Sequence, residues 1–506
     1  MAYFPDIQKI REMSFGLKVC RLAAGRMYLL LLTTLLFAAH GVFVSCDDNE
    51  DFTTSPSAKL TFPADTLRLD TALTVVSSPT YSFTVHNCTS KGIRITNVAL
   101  ANSESSGFRV NVDGTFINED YNYAIEVRSH DSIAVWVDIT PRFQDSDDPV
   151  LVTDRLMFTL ESGVVQQVVL QAVTQDVNVM EHVLLDKDTC LSSRRPYFVK
   201  DTLRVAEGST LTISPGVRML FAPKAGMLVE GTLVARGERD SLILFRGGRM
   251  DYMFDGQPYD RIPGQWGGIT FASSSYDNEM EYCDVHSGTF GIRCDSSDVT
   301  RRKLTVENSI VNNMKGDCLT LVNSDILVGN SQITNAMGNT VTVHGGRNRF
   351  VHCTIANFYP FTGGRGKALY LFNSLNGTPL PLVEATFGNC ILSGWSADEV
   401  GFMFLDEPSL QKNYLFESCL ITAEASDDTE HYRNNVFESP DDEVWGNDNF
   451  ISFDNETLIY DFRLDTLSRA RNMADTVITK DYYPEDFYGV VRLADKHSDA
   501  GCYEFE

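Results

Sequence analysis

Basic residues are scarce. Lys and Arg number 42 against 68 Asp and Glu, for a formal net charge of −26. Binding through phosphate contacts needs a cationic face, so this deficit excludes nucleic acid as a partner. The 11 cysteines include no CxxC pair, and no Cys/His spacing matches a zinc ligand set. His344, His352 and Cys353 are close in sequence, but on a strand His352 and Cys353 point to opposite faces. The acidic loops beginning at Asp145, Asp427 and Asp441 lack calcium-loop spacing. Neither a metal nor a cofactor is therefore expected. After the first 45 residues no apolar run approaches the length of a membrane span.

What is present is a repeat. Cys283, Ser309, Ser331, Cys353, Cys390 and Cys419 serve as anchors spaced 26, 22, 22, 37 and 29 residues apart. Three positions before each stands an apolar residue (Met280, Val306, Val328, Phe350, Phe387, Phe416). Two positions after each stands another (Val285, Val311, Ile333, Ile355, Leu392, Ile421). Asn313, Asn335 and Asn357 fall four positions after an anchor, and glycine opens the next strand at Gly316, Gly338 and Gly366. Short alternating strands at a period near 22 describe the coils of a solenoid, in which no coil buries its apolar face alone. The anchor and apolar columns should face the bore, and the Asn column should sit at sharp corners in left-handed backbone. A carboxylate at Ile333 or Ile355 would then be ruinous, while outward Thr342 should tolerate one.

This arrangement resembles the right-handed parallel β-helix proteins of the pectate-lyase-like superfamily. The opening coils from Leu203 to Phe271 are similar to β-helix lipoproteins of the Bacteroidota. So is the segment from Phe462 through Pro484, Gly489 and Arg492 to Tyr503, which would close the open end of the solenoid. The resemblance implies an architecture and no particular activity.

The chain opens with Lys9, Arg11, Lys18, Arg21 and Arg26 ahead of an apolar run from Met27 to Phe43. The run is short for a membrane span and fits a signal segment. Phe43-Val44-Ser45-Cys46 and the acidic stretch after it resemble a bacterial lipoprotein signal with a surface-export tail, which implies lipidation at Cys46. Removing five basic and two acidic residues with the signal takes the charge from −26 to about −29. The fold class expected is all-β: an N-terminal immunoglobulin-like β-sandwich followed by a right-handed parallel β-helix. The divisions are a signal at 1–45, a polar tether at 46–59, a sandwich at 60–176, a linker at 177–200 and the β-helix with its closing segment at 201–506. The sandwich strands Val85-x-Asn87, Ile93-x-Ile95 and Val135-x-Val137-x-Ile139-x-Pro141 resemble immunoglobulin-like domains of the Hydin and abnormal-spindle type.

The outward column Arg293, Thr320, Thr342 and Tyr370 has no acid pair and one base, so it offers no glycosidase or lyase machinery. Insertions on a solenoid often carry function. The long gap between Cys353 and Cys390 holds Tyr359, Phe361 and Arg365, and Trp395 opens another insertion. Such rings beside an arginine suit stacking on sugars, though the same rings would also seal a core. Thr66, Thr71, Ser132, Thr202, Ser241, Thr466 and Thr476 each follow Asp and precede an apolar residue. The pattern resembles an O-glycosylation sequon of exported Bacteroidota proteins, and a polar turn entering a strand produces it too. The sequence thus points to a monomeric surface lipoprotein of the outer membrane, held to the membrane through Cys46. It binds glycans or surface polymers without catalysis, with a β-helix lyase or hydrolase and a purely structural envelope part as alternatives.

Overall fold

The computed structural model describes residues 51–74, 76–117 and 124–505. The signal, Cys46 and the first residues of the tether lie outside them.

Two sheets form the N-terminal sandwich. One has five strands in the order Thr66–Leu73, Val165–Gln175, Val150–Leu160, Ile93–Leu100, Ile125–Val127. The other has four, with Tyr81–His86 and Phe108–Val112 flanking Ser132–Ile139. Alternate residues, among them Val85, Ile95, Val135 and Phe158, fill the space between the sheets. Asn87 is buried but satisfied: its amide donates to Lys91 O, Val127 O and Arg128 O, which pins the turn after its strand.

The rest is a parallel β-helix with three sheets. Sheet 1 has eleven strands, from Asn178–Met180 to Val436–Glu438. Sheet 2 has nine, from Leu184–Leu185 to Val400–Met403. Sheet 3 has ten, from Thr189–Leu191 to Tyr432–Arg433. Residues 177–200, expected as a linker, instead form the first coil. Thr189–Leu191 pairs in parallel with Thr210–Ile213, because an alternating segment beside an open edge is most stable when it pairs.

The apolar columns stack in register. Met280, Val306, Val328, Phe350, Phe387, Phe416 and Tyr432 are successive partners on sheet 3. The rings of Phe350, Phe387 and Phe416 stack at 4.9 and 4.8 Å. Val285, Val311, Ile333, Ile355, Leu392 and Ile421 do the same on sheet 1. The anchors have a further task. Ser309 Oγ accepts the Cys283 N–H at 3.0 Å, Ser331 Oγ accepts that of Ser309 at 3.0 Å, and Cys419 Sγ accepts that of Cys390 at 3.4 Å. Each small polar side chain therefore satisfies a corner amide one coil back.

The corner itself lies one position before the anchors. Tyr282, Asn308, Asn330, His352, Asn389 and Ser418 all have positive φ there. In the expected Asn column only Asn313 and Asn335 are left-handed. Asn357 ends a strand, and its side chain accepts from Ala336 N and donates to Gly338 O and Gly366 O.

The C-terminal segment does not close the end of the solenoid. A hairpin, Phe450–Asp454 with Ile459–Leu464, and the chain after it cover the outer face of sheet 1. Ile391 and Leu420 project outward there and pack with Phe450, Phe462, Phe487 and Tyr503. These outward apolar residues need a cover, and the tail supplies it along the flank. Arg492, fully buried, donates to Asn330 Oδ1 at 2.7 Å, and Tyr483 Oη donates to Glu307 Oε1 at 2.6 Å.

Candidate functional site

On Cys283–His286 the cysteine and Val285 enter the bore, so Asp284 and His286 must face outward. Asn312 and Thr334 follow His286 in register on the next two coils of sheet 1. These residues and Gln332 floor a pocket of about 210 Å³. One wall is the short turn Tyr259–Arg261 of the insertion before Trp266, which supplies Asp260 and Arg261. The other walls are Pro360 and Phe361 and the hairpin residues Leu458, Tyr460 and Phe462. Bonds to carbonyls hold the turn against the hairpin tip: Arg261 Nη1 donates to Thr457 O at 2.8 Å and Gln257 Nε2 to Glu456 O at 2.6 Å.

His286 is the centre of a charge network. Its Nδ1 lies 2.8 Å from Asp284 Oδ1, and its Nε2 lies 2.8 Å from Asp260 Oδ1. Arg246 Nε approaches the same Asp260 oxygen at 2.7 Å. Burial works against charge on the imidazole, but Asp284 and Asp260 outweigh it and raise the pKa to about 10. Burial pushes the Asp260 carboxyl up, and His286 with Arg246 and Arg261 more than reverses this, so the net shift is downward. At neutral pH the ring is therefore an imidazolium with both N–H groups committed to carboxylates. It can neither accept a proton nor present a free donor, and it ties the insertion to the sheet. Asn312 makes no side-chain hydrogen bond among the described residues, and Arg261 has no carboxylate within ion-pair distance there. The Asn312 amide and the N–H groups of Arg261 that are not on Thr457 O are available to a ligand.

Of the four residues expected from sequence to bind a ligand, Tyr359, Phe361, Arg365 and Trp395, Phe361 reaches this pocket and is 46% exposed. Tyr359 is buried, its ring edge against Phe361 at 5.3 Å. Arg365 is also withdrawn. It grips the wholly buried Glu399, with Nη2–Oε1 at 2.6 Å and Nη1–Oε2 at 3.3 Å, because a buried carboxylate without a partner is costly. Trp395 stays partly exposed with Phe358 beneath its edge, and its Nε1 donates to Asn447 Oδ1 at 3.3 Å. The four do not form one exposed platform. Thr342, Thr320, Arg293 and Tyr370 do line up on sheet 2. Thr342 is buried, however, and donates to Asp317 Oδ2 at 2.7 Å. Asp260, Asp284, His286 and Asn312 are not among the residues the sequence pointed to, because the outward column chosen there belongs to sheet 2; Tyr259 and Arg261 of the insertion before Trp266 were legible as an aromatic and a base. The alternation in Cys283-Asp-Val-His was the available signal.

Among the candidate modified residues, Thr66, Ser132 and Thr202 are the first residues of strands and Thr476 opens a helix. The preceding Asp475 caps that helix by accepting from Val477 N and Ile478 N. Ser132, Thr202 and Thr466 are exposed, and Thr71 and Ser241 are half-buried. No group of three or more His, Cys, Asp or Glu among the described residues is placed to hold a metal ion.

No protein-family profile matches the chain. Over 79 residues, 15% of its length, it is 43% identical to protein bark beetle of Drosophila melanogaster, and it spans only 2% of that relative. Among solved structures, the PapD-like domain 7 of human CEP192 aligns with 24% of this chain and 91% of its own. The identity there is 11% and the TM-score 0.17, too low to carry an argument.

Proposed function

We propose that this chain is a cell-surface lipoprotein whose β-helix flank binds a carbohydrate without turning it over. The observation that carries the reading is the pocket on sheet 1, where Asn312, Arg261 and Thr334 lie beside the rings of Phe361 and Tyr460. Amides and a guanidinium suit hydroxyl groups, and an aromatic wall suits the apolar face of a sugar ring. The pocket is smaller than the roughly 300–1,000 Å³ of clefts for drug-sized ligands, so it takes a single sugar residue rather than a chain. Binding is favoured over hydrolysis because His286 and Asp260 are locked to each other and to Arg246, leaving no proton carrier poised near neutral pH.

The anchor is part of the same reading. The first described residues pair Phe52 with Gly92. That end of the sandwich strands is opposite Leu73 and Gln175, which adjoin the coil. The first described residues therefore lie at the end of the sandwich away from the coils. No helix among the described residues is long and apolar enough to cross a membrane.

A glycan array probed with the soluble chain from residue 55 onward, beside turnover assays, tests the proposal. Binding to a defined terminal sugar is expected, weakened about tenfold by Asn312→Ala or Phe361→Ala with unchanged melting. Turnover that survives in the wild-type chain would favour the enzyme. Absence of any binding would return the flank to a structural role.

A further inference from the structure

The far end of the solenoid is asymmetric. After Val400–Met403 the chain contributes Lys412–Glu417 and Tyr432–Arg433 to sheet 3, and Leu420–Thr422 and Val436–Glu438 to sheet 1. It contributes nothing more to sheet 2. Where the next strand of that sheet belongs, residues 424–430 run as an exposed loop. Val400–Met403 is therefore an edge strand, paired on one side only, with Leu369–Phe372. Beyond it the Glu399 N–H reaches Thr422 O. Among the described residues no other backbone bond joins residues 399–403 to the chain that follows. In a parallel ladder alternate residues aim both polar groups to one side. The pairing with Leu369–Phe372 leaves the N–H and C=O of Phe402 directed at the missing position.

The tail does not cover this edge, since it lies against sheet 1. The side chains beside the edge are apolar: Met403 is 57% exposed, and Phe402 packs against Phe404 and Tyr414 at the open end of the bore. The surroundings are predominantly acidic. Arg365 neutralises Glu399 and Lys367 pairs with Asp398, but beyond these pairs residues 406–433 hold seven Asp and Glu against Lys412 and Arg433. Of these, Glu424, Asp427, Asp428 and Glu430 lie on the exposed loop itself.

We infer that Val400–Met403 is a β-augmentation site that adds an extended, basic segment of another protein as the next strand of sheet 2. The backbone edge supplies the pairing. The carboxylates of the 424–430 loop recognise Lys or Arg on the incoming strand, and Met403 with Phe402 takes its apolar side chains. This surface is separate from the sugar pocket, so either proposal stands without the other.

The probe is a short synthetic peptide of alternating lysine and valine added to the soluble chain. It should bind, slow exchange of the Phe402 amide, and lose affinity as salt is raised. Met403→Lys, a change at an exposed side chain, should weaken binding roughly threefold to fivefold without lowering the melting temperature. A peptide of the same sequence with alternate amides N-methylated should not bind. Equal binding of the methylated peptide would show attraction by charge alone and overturn the proposal. It would also be overturned by equal binding of a glutamate–valine peptide, by a Phe402 amide that exchanges no more slowly with peptide present, or by dimerisation of the chain through this edge.

Discussion

Ile333 and Thr342 both sit on strands of the β-helix, and both are buried for different reasons. Ile333 faces the bore, where Ile333→Asp would strand a carboxylate among aliphatic side chains at a cost of about 3–5 kcal/mol or more. Thr342 faces outward yet lies under neighbouring side chains, with its hydroxyl on Asp317 Oδ2. Thr342→Asp would bring two carboxylates together and lose the hydroxyl donor, for about 1–3 kcal/mol. Denaturant titration of both variants should rank Ile333→Asp well below Thr342→Asp, and both below the parent. A neutral Thr342→Asp would contradict the hydrogen bond. His286 offers a second check at this scale. Its pKa in the fold, about 10, lies above the ordinary 6.5. The unfolded chain therefore releases this proton first as pH rises. The stabilisation is fully present below pH 6.5 and is lost progressively toward pH 10, on the order of a few kcal/mol in all. Melting temperatures followed across that window should fall in the parent and stay flatter in His286→Gln.

At the level of the strand and its corner, the coil depends on a left-handed residue before each anchor. Asn434 continues this column, exposed and at φ 53°. Asn tolerates that backbone and glycine does so freely, whereas a β-branched residue clashes. Asn434→Gly should change stability little, and Asn434→Val should cost about 1–2 kcal/mol. Equal stability of the two variants by chemical denaturation would mean that the corner relaxes. The same column shows why the sheet 1 flank is so well tied down. Asn330 donates to Asn308 Oδ1 and accepts from Arg492, so the corner residues also fasten the tail. Gly329 leaves no space for a Cβ because Tyr483 lies across it.

For the molecule as a whole, the two domains meet through Leu73, Val177, Phe198 and Leu220, with Arg194 and Arg195 pairing to Asp145, Asp147 and Asp148 of the sandwich. This apolar contact with a charged rim couples the sandwich to the first coils. If Cys46 carries the anchor, Cys46→Ser should leave the protein unlipidated and no longer held in the membrane fraction. Fractionation with intact-mass measurement checks this, and unchanged retention would remove the lipoprotein reading.

The period of the sequence by itself determined the β-helix. Bore positions must be apolar or small on every coil, and that requirement acts locally, so the columns at Val285 and Val306 stand out in the chain alone. It also placed the sandwich strands, because alternation marks a half-buried sheet wherever it occurs. The route of the tail, the burial of Arg365 and the position of the pocket were decided only by tertiary structure. The pocket joins residues near 260, 286, 312, 361 and 460, which are remote in sequence and meet because stacked coils bring them to one flank. Arg365 is an exposed-looking base until Glu399, one coil on, is buried beside it. Local pattern reports which face of a strand is wet or dry. It carries no record of which distant loop will cover that face, since cover is a matter of long-range packing and charge pairing.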